Sequence, residues 1–220
     1  SALRAQKLHS VAGNIVRIDP ATGLGLPDNP FYQNGHPEKN RSKVWALGLR
    51  NPFRIAIHPT TGQPYIGDVG WNGWEEINTG KGANFGWPCY EGGTVDASPE
   101  GSNTYSKDQT TYQSASSTSA SCDTLVNQGQ GAVRAPVFTW AHFGTDGYGG
   151  TGGASANAGA FYTGTVYPPP WQNALFILDY TRLWLRALTF DAQGIAPVAY
   201  FAVDPSTGMV LAFVVPQSNL

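Results

Sequence analysis

The residues able to do chemistry gather between Val44 and Glu91. Arg50-Asn51-Pro52 comes first, Asp68-Val69-Gly70-Trp71-Asn72 second and Glu75-Glu76 third. An arginine fork can bond a carboxylate and a ring oxygen in fixed geometry. A glycine lets the backbone approach a ligand closely, and calcium readily takes backbone carbonyl oxygens. Asp68, Glu75 and Glu76 have the chemistry of paired acid/base carboxylates, but the structural reading is preferred, with one glutamate bonding backbone or an arginine. Arg182 and Arg186 form a second basic group further on. His9 and His36 fall in loops and His58 in a turn. His142 heads a Gly-rich loop that could line a cleft, although a lone histidine more often bonds a backbone group. No Ser-His-Asp set and no metal-spaced Cys/His cluster is present, so hydrolysis and zinc chemistry have no support.

The elements around these residues read as strands. Arg54–His58 and Pro64–Val69 alternate in polarity, and Pro59-Thr60-Thr61-Gly62 turns one into the other. Further strand texture lies at 13–18, 43–48, 74–78, 132–140, 158–162, 174–178, 183–190, 198–203 and 209–214, with a short extended piece at 84–87. Gly or Pro interrupts before any helical face could develop, so no helix is expected. The turn Ile57-His58-Pro59-Thr60-Thr61-Gly62 is echoed by Ile18-Asp19-Pro20-Ala21-Thr22-Gly23 and by Val203-Asp204-Pro205-Ser206-Thr207-Gly208. A repeated strand–turn–strand unit suggests propeller blades, and about a dozen strands make roughly three blades of four. A Ser/Thr/Gly-rich stretch at about 91–131 cannot bury a core of its own and reads as an insertion across one face.

Composition sets the outer limits. The 220 residues carry a net charge of −2 and only 13% charged side chains, which argues against a general phosphate-binding surface and so against nucleic acid. No apolar run is long enough to span a membrane, and Ser1-Ala2-Leu3-Arg4 does not open a signal peptide. Cys89 and Cys122 bracket the insertion. A disulfide there would stabilise by roughly 3–4 kcal/mol in the chain-entropy model. Two free buried thiols are the alternative, and the lack of anything else to hold the loop favours the bridge. Asn40-Arg41-Ser42 is a glycosylation sequon and points the same way, to an extracellular or periplasmic setting.

Four pieces of the chain together resemble the glucose/sorbosone dehydrogenase family, the soluble sugar dehydrogenases that use pyrroloquinoline quinone (PQQ). They are Gly48-Leu49-Arg50-Asn51-Pro52, Asp68-Val69-Gly70, Glu75-Glu76-Ile77-Asn78 and Gly82-Ala83-Asn84-Phe85-Gly86-Trp87-Pro88. The likeness continues more loosely through Asp179-Tyr180-Thr181-Arg182. It implies an all-β, six-bladed β-propeller of which residues 1–220 supply roughly the C-terminal half. The remaining blades would lie on another part of the parent chain or on another chain. It also implies PQQ and calcium as cofactors and a sugar as substrate. Arg50 and Asn51 match the family's cofactor contacts. Gly70 and Trp71 match its calcium-binding backbone carbonyls, and Asp68 could add to that site. Glu75-Glu76 matches a structural segment. Where some members carry a lysine on a later blade, Thr181 or Arg182 stands here, and Arg182 is the substitute expected to contact the quinone. The family's catalytic histidine lies N-terminal to this region and none of the four histidines matches it, so the catalytic base is unassigned. The resemblance therefore leaves two functions open: part of a PQQ- and calcium-dependent sugar dehydrogenase, or a non-catalytic extracellular propeller that binds a glycan or a protein.

Overall fold

The computed structural model of the chain describes residues 2–71, 73–92, 105–106, 120–128, 130–144, 154–166, 171–190, 198–203 and 210–214. They form an all-β structure of antiparallel sheets. Strands β1 (Asn14–Val16) and β2 (Val44–Leu47) make a pair. Strands β3 (Pro52–Ile57), β4 (Pro64–Asp68), β5 (Trp74–Thr79) and β8 (Phe138–Ala141) form a four-stranded sheet in that order. β6 (Glu91–Gly92) pairs with β7 (Tyr105–Ser106). A five-stranded sheet follows with the order β13-β12-β11-β10-β9. Its strands are β9 (Ala156–Phe161), β10 (Leu175–Asp179), β11 (Trp184–Leu188), β12 (Val198–Val203) and β13 (Val210–Val214).

Small residues decide how the two large sheets meet. β9 lies against β3, β4 and β5. A Cβ on Gly67 would sit 2.5 Å from the Ala158 amide nitrogen, so only glycine permits this approach. Ala56, Ala156 and Ala158 share the same interface with Ile77, Phe138 and Trp140, and this is the larger apolar core. A second core on the other side joins Ile66 to Ile15, Trp45, Leu49 and Phe85.

The expected turns are present where they can be seen. Asp19 Oδ1 accepts from the amides of Ala21 and Thr22, each at 2.9 Å, and Gly23 takes φ +70°. His58 Nδ1 accepts from Thr60 and Thr61, and Gly62 takes φ +68°. The third copy, at 204–208, falls outside the described residues.

Two expectations need correction. Helix does occur: a single turn, α1 (Asn40–Lys43), and a two-turn helix, α2 (Ala120–Asn127). The second lies inside the Ser/Thr-rich insertion, where no apolar period announces it. Cys122 and Leu125 bury it against Cys89 and Tyr90, and a Cys89–Cys122 disulfide ties it down. Strand texture expected from Ala132 begins only at Phe138: a 3-10 turn covers Gln130–Ala132, and the residues between follow no strand ladder. Much of the 91–131 insertion lies outside the described residues.

Candidate functional site

Antiparallel pairing sends the candidate residues to one rim. β3 starts just after Arg50-Asn51, β4 ends at Asp68, and β5 starts at Trp74. β8 ends at Ala141, β9 starts at Ala156, β10 ends at Asp179 and β11 starts at Trp184. The described residues at 50–51, 69–71, 142–144, 154–155 and 180–183 therefore all emerge at the same end of the two sheets. The 57–64 turn emerges at the opposite end.

Asp68 knots the first part of this rim. Its Oδ2 accepts from the Arg50 amide at 3.0 Å and its Oδ1 from the Asn51 amide at 2.6 Å. The carboxyl is buried, and that burial together with the nearby Glu75 charge raises its pKa to about 7 against the pull of the two amides. The Arg50 guanidinium donates through Nη1 to the Val69 carbonyl at 2.9 Å. It also lies 5.7 Å from the centre of the Trp87 ring, and Trp87 in turn meets Trp71 edge-on at 5.7 Å. Arg50, Asn51 and Trp87, with Arg4, Gly13 and Leu49, line a cleft of about 520 Å³. The arginine and the turn after β4 are thus in direct contact.

That turn is held from behind by carboxylates. Glu75 accepts from the Gly70 amide at 3.1 Å and from the Ala156 amide at 2.6 Å, and it bonds Nδ1 of His142. Glu91 accepts from the Trp71 amide. Glu76 accepts from the Gly92 amide and from Asn78 Nδ2, and burial, then the Asp68 charge, pushes its pKa up. Both members of the Glu75-Glu76 pair bond backbone, as expected for a structural segment. A Cβ on Gly70 would lie 1.9 Å from the Trp74 carbonyl oxygen, so the turn closes only around glycine. A trans peptide points its carbonyl away from its N–H. With the Trp71 amide turned to Glu91, the Gly70 carbonyl faces away from that carboxylate. A hard cation could use such an oxygen. Among the described residues no group of three or more His, Cys, Asp or Glu is arranged to hold a metal, so a cation here would depend on backbone oxygens.

The second sheet repeats the knot. Asp179, at the end of β10, accepts from the amides of Ser155, Thr181 and Arg182 and from Trp140 Nε1 at 2.8 Å. The Arg182 side chain is buried, and its Nη2 donates to the carbonyls of Ala141, His142 and Gly144. Those contacts clamp the 141–144 turn, and Arg182 is not among the residues lining the Arg50 cleft. Arg186 is buried with its guanidinium 3.8 Å from the Trp184 ring centre. Asn40 is exposed, and its Nδ2 donates to the His9 carbonyl at 2.8 Å. His36 pairs with Glu38 at the surface. His142 is the histidine on the rim, and its pairing with Glu75, 67 positions away, is the contact that sequence spacing could not disclose.

Several known proteins are similar to this chain in sequence or in fold. HIPL2 protein of Arabidopsis thaliana is 35% identical over 127 residues, covering 49% of this chain and 18% of HIPL2. Aldose sugar dehydrogenase YliI of Escherichia coli K12 is 35% identical over 85 residues, covering 38% of this chain and 22% of that protein. A PQQ-bound aldose sugar dehydrogenase from Streptomyces coelicolor has a similar fold, with TM-score 0.56 and 20% identity over 91% of this chain and 42% of its own. The apo-form soluble aldose sugar dehydrogenase from Escherichia coli gives TM-score 0.58 and 22% identity over 90% of this chain and 47% of its own. The chain spans about a fifth of the length of the two sequence relatives and under half of the two structures. The sequence model of the Glucose / Sorbosone dehydrogenase family matches residues 1–195, and by that match this chain belongs to the family.

Proposed function

We propose that this rim supplies part of the cofactor and cation site of an extracellular or periplasmic sugar dehydrogenase that uses PQQ and calcium. The contact between Arg50 and the Val69 carbonyl carries the proposal, because it sets the anion-binding candidate against the turn that holds the cation-binding candidates; Arg50 and Asn51 line the cleft, while Gly70 and Trp71 are not among its lining residues. With Nη1 held by Val69 and its plane near Trp87, the guanidinium keeps N–H groups for an anionic ligand in the cleft. Asn51 stands beside it, its backbone fixed by Asp68. Gly70 and Trp71 would offer carbonyls to calcium. Asp68 already accepts two amides, so its part in a metal site would be to fix Arg50 and Asn51 rather than to reach the ion. Arg182 would act on the cofactor through the 141–144 turn that it clamps. Bound PQQ would accept a hydride from the carbon of a sugar hydroxyl or aldehyde. Among the described residues no histidine lines the cleft, and the proton acceptor is unassigned.

The partial six-bladed propeller, about three blades over residues 1–220 with the insertion at 91–131, is part of this proposal. The repeated aspartate knots at Asp68 and Asp179 support two equivalent blades, and the β1–β2 pair would belong to a third. Phe53, Ile55 and Ile57 project from one face of β3 at 63, 45 and 58% exposure, which suits packing against a further sheet. The disulfide supports an oxidising compartment. No helix among the described residues is long and apolar enough to cross a membrane.

The test is sugar-dependent reduction of a dye by the parent protein after addition of PQQ and calcium. Arg50→Ala should abolish it, and Arg54→Ala, on the exposed part of β3, should leave it unchanged. Failure to take up PQQ in excess calcium would overturn the enzyme reading. A second reading rests on Trp71, Phe143 and Tyr180, aromatic side chains 39, 58 and 73% exposed on or beside the same rim. Exposed rings can hold a glycan without any cofactor. Glycan binding without PQQ, weakened by Tyr180→Ala, would favour this module.

A further inference from the structure

Glu75 is fully buried, and a buried carboxylate needs donors. Its three come from three different segments. The Gly70 amide belongs to the turn after β4, His142 follows β8, and the Ala156 amide opens β9. Two of these are backbone groups that no side-chain substitution removes. A carboxylate accepts from all three, with His142 in the tautomer that carries its proton on Nδ1.

His142 is itself held firmly. Its amide donates to the Gly73 carbonyl at 2.9 Å, and its own carbonyl accepts from Arg182 Nη2 at 3.3 Å. Its ring stands edge-on to Phe143 at 4.6 Å.

The Val69–Gly70 peptide then links this cluster to Arg50. The peptide is a rigid plane with N–H and C=O pointing in opposite directions. Its N–H end is bonded to Glu75 and its C=O end to Arg50 Nη1 at 2.9 Å. Rotation of the plane breaks both bonds together. We propose that His142 is a positioning residue for Arg50: it fixes Glu75, Glu75 fixes the Val69–Gly70 plane, and the plane fixes the guanidinium. The coupling concerns hydrogen bonds between described residues and holds whether or not a ligand is bound. Its consequence for cofactor affinity rests on the proposed function above.

The experiment compares wild type with His142→Phe, which keeps a ring and removes the donor, and with His142→Asn, whose side-chain amide can replace Nδ1–H. Amide hydrogen exchange at Gly70, read by NMR on the full 220-residue chain without ligand, is the first measurement. His142→Phe should speed that exchange about 10–100-fold, the size expected when a hydrogen bond to a charged group is lost and local opening becomes easier, and His142→Asn should restore it to within about 3-fold. Unchanged exchange in His142→Phe, or no rescue by Asn at equal thermal stability, overturns the inference. If His142→Phe does not fold, Glu75→Gln, with the same shape and a weaker acceptor, must speed exchange at the same amide. The second measurement is PQQ binding by calorimetry. His142→Phe should weaken it about 10–100-fold, with the Asn variant close to wild type. If the wild type binds no PQQ, the proposed function fails while the exchange result still decides the role of His142.

Discussion

The β3–β4 hairpin is closed in two different ways at its two ends. At the 57–64 end the closure is local. His58 accepts the amides of Thr60 and Thr61, Gly62 supplies the left-handed residue, and Thr60 to Gly62 are exposed. At the other end the strands are joined by Asp68 reaching back to the amides of Arg50 and Asn51. Behind that join lie the buried carboxyls of Glu75, Glu76 and Glu91. A hairpin does not need them. Buried carboxylates are costly unless they are bonded, and each here bonds backbone amides. The difference separates what the fold requires from what the site requires: the first end could be exchanged for another good turn that keeps a ring against Phe161, while the second has a shape that only its own residues maintain.

The comparison can be broken most forcefully with glycine. Gly70→Ala puts a Cβ 1.9 Å from the Trp74 carbonyl oxygen, while Gly62→Ala meets nothing within 4 Å. We expect Gly70→Ala to destabilise by about 4 kcal/mol, in the range reserved for severe lesions. Gly62→Ala should lose only about 1 kcal/mol, from its positive φ. Urea unfolding of the two variants reads the contrast, and equal losses would dissolve it. Next in size is the pair Asp68→Ala and His58→Ala. Removal of Asp68 leaves two amides without their acceptor, for a loss of about 3 kcal/mol. Removal of the His58 ring exposes amides that water can serve and gives up a ring contact with Phe161 at 4.8 Å, for about 1 kcal/mol.

How much of this was legible follows the same division. Period-two alternation and the Pro-Thr-Thr-Gly turn are local signals, and they located β3, β4 and β5 to within a few residues. The Arg50-Asn51 motif and the Asp68-Val69-Gly70 motif are each legible, and the rim joins them through the bond from Arg50 Nη1 to the Val69 carbonyl. The helix α2 was not legible, because its burial comes from Cys122 and Leu125 meeting residues outside the insertion. The Glu75–His142 pair was not legible either. Each residue stood out alone, but their meeting depends on β5 and β8 becoming neighbours across the 80–137 stretch. Arg182 stood out as a cation, and only the fold reveals that its Nη2 faces the carbonyls of Ala141, His142 and Gly144.

The comparison also sharpens through pH. Burial raises Asp68 to about 7 and pushes Glu76 up as well, so both hold protons in the folded state at pH values where the unfolded chain has lost them. The folded state then binds more protons between about pH 4 and 7, and stability must fall as pH rises through that window. Asp19, in the exposed turn at 19–23, has the opposite sign. The amides of Thr22 and Ala21 lower its pKa, so its contribution is present above the unfolded value and lost in acid. Denaturant unfolding in the presence of a chelator should therefore show stability declining toward neutral pH, by no more than about 1.4 kcal/mol per pH unit for each group. Asp68→Asn should flatten that decline, and Asp19→Asn should leave it in place. A wild-type profile that climbs steadily from pH 4 to 7 would mean that these carboxyls ionise at little cost, and the rim would then be no more demanding than the turn at its far end.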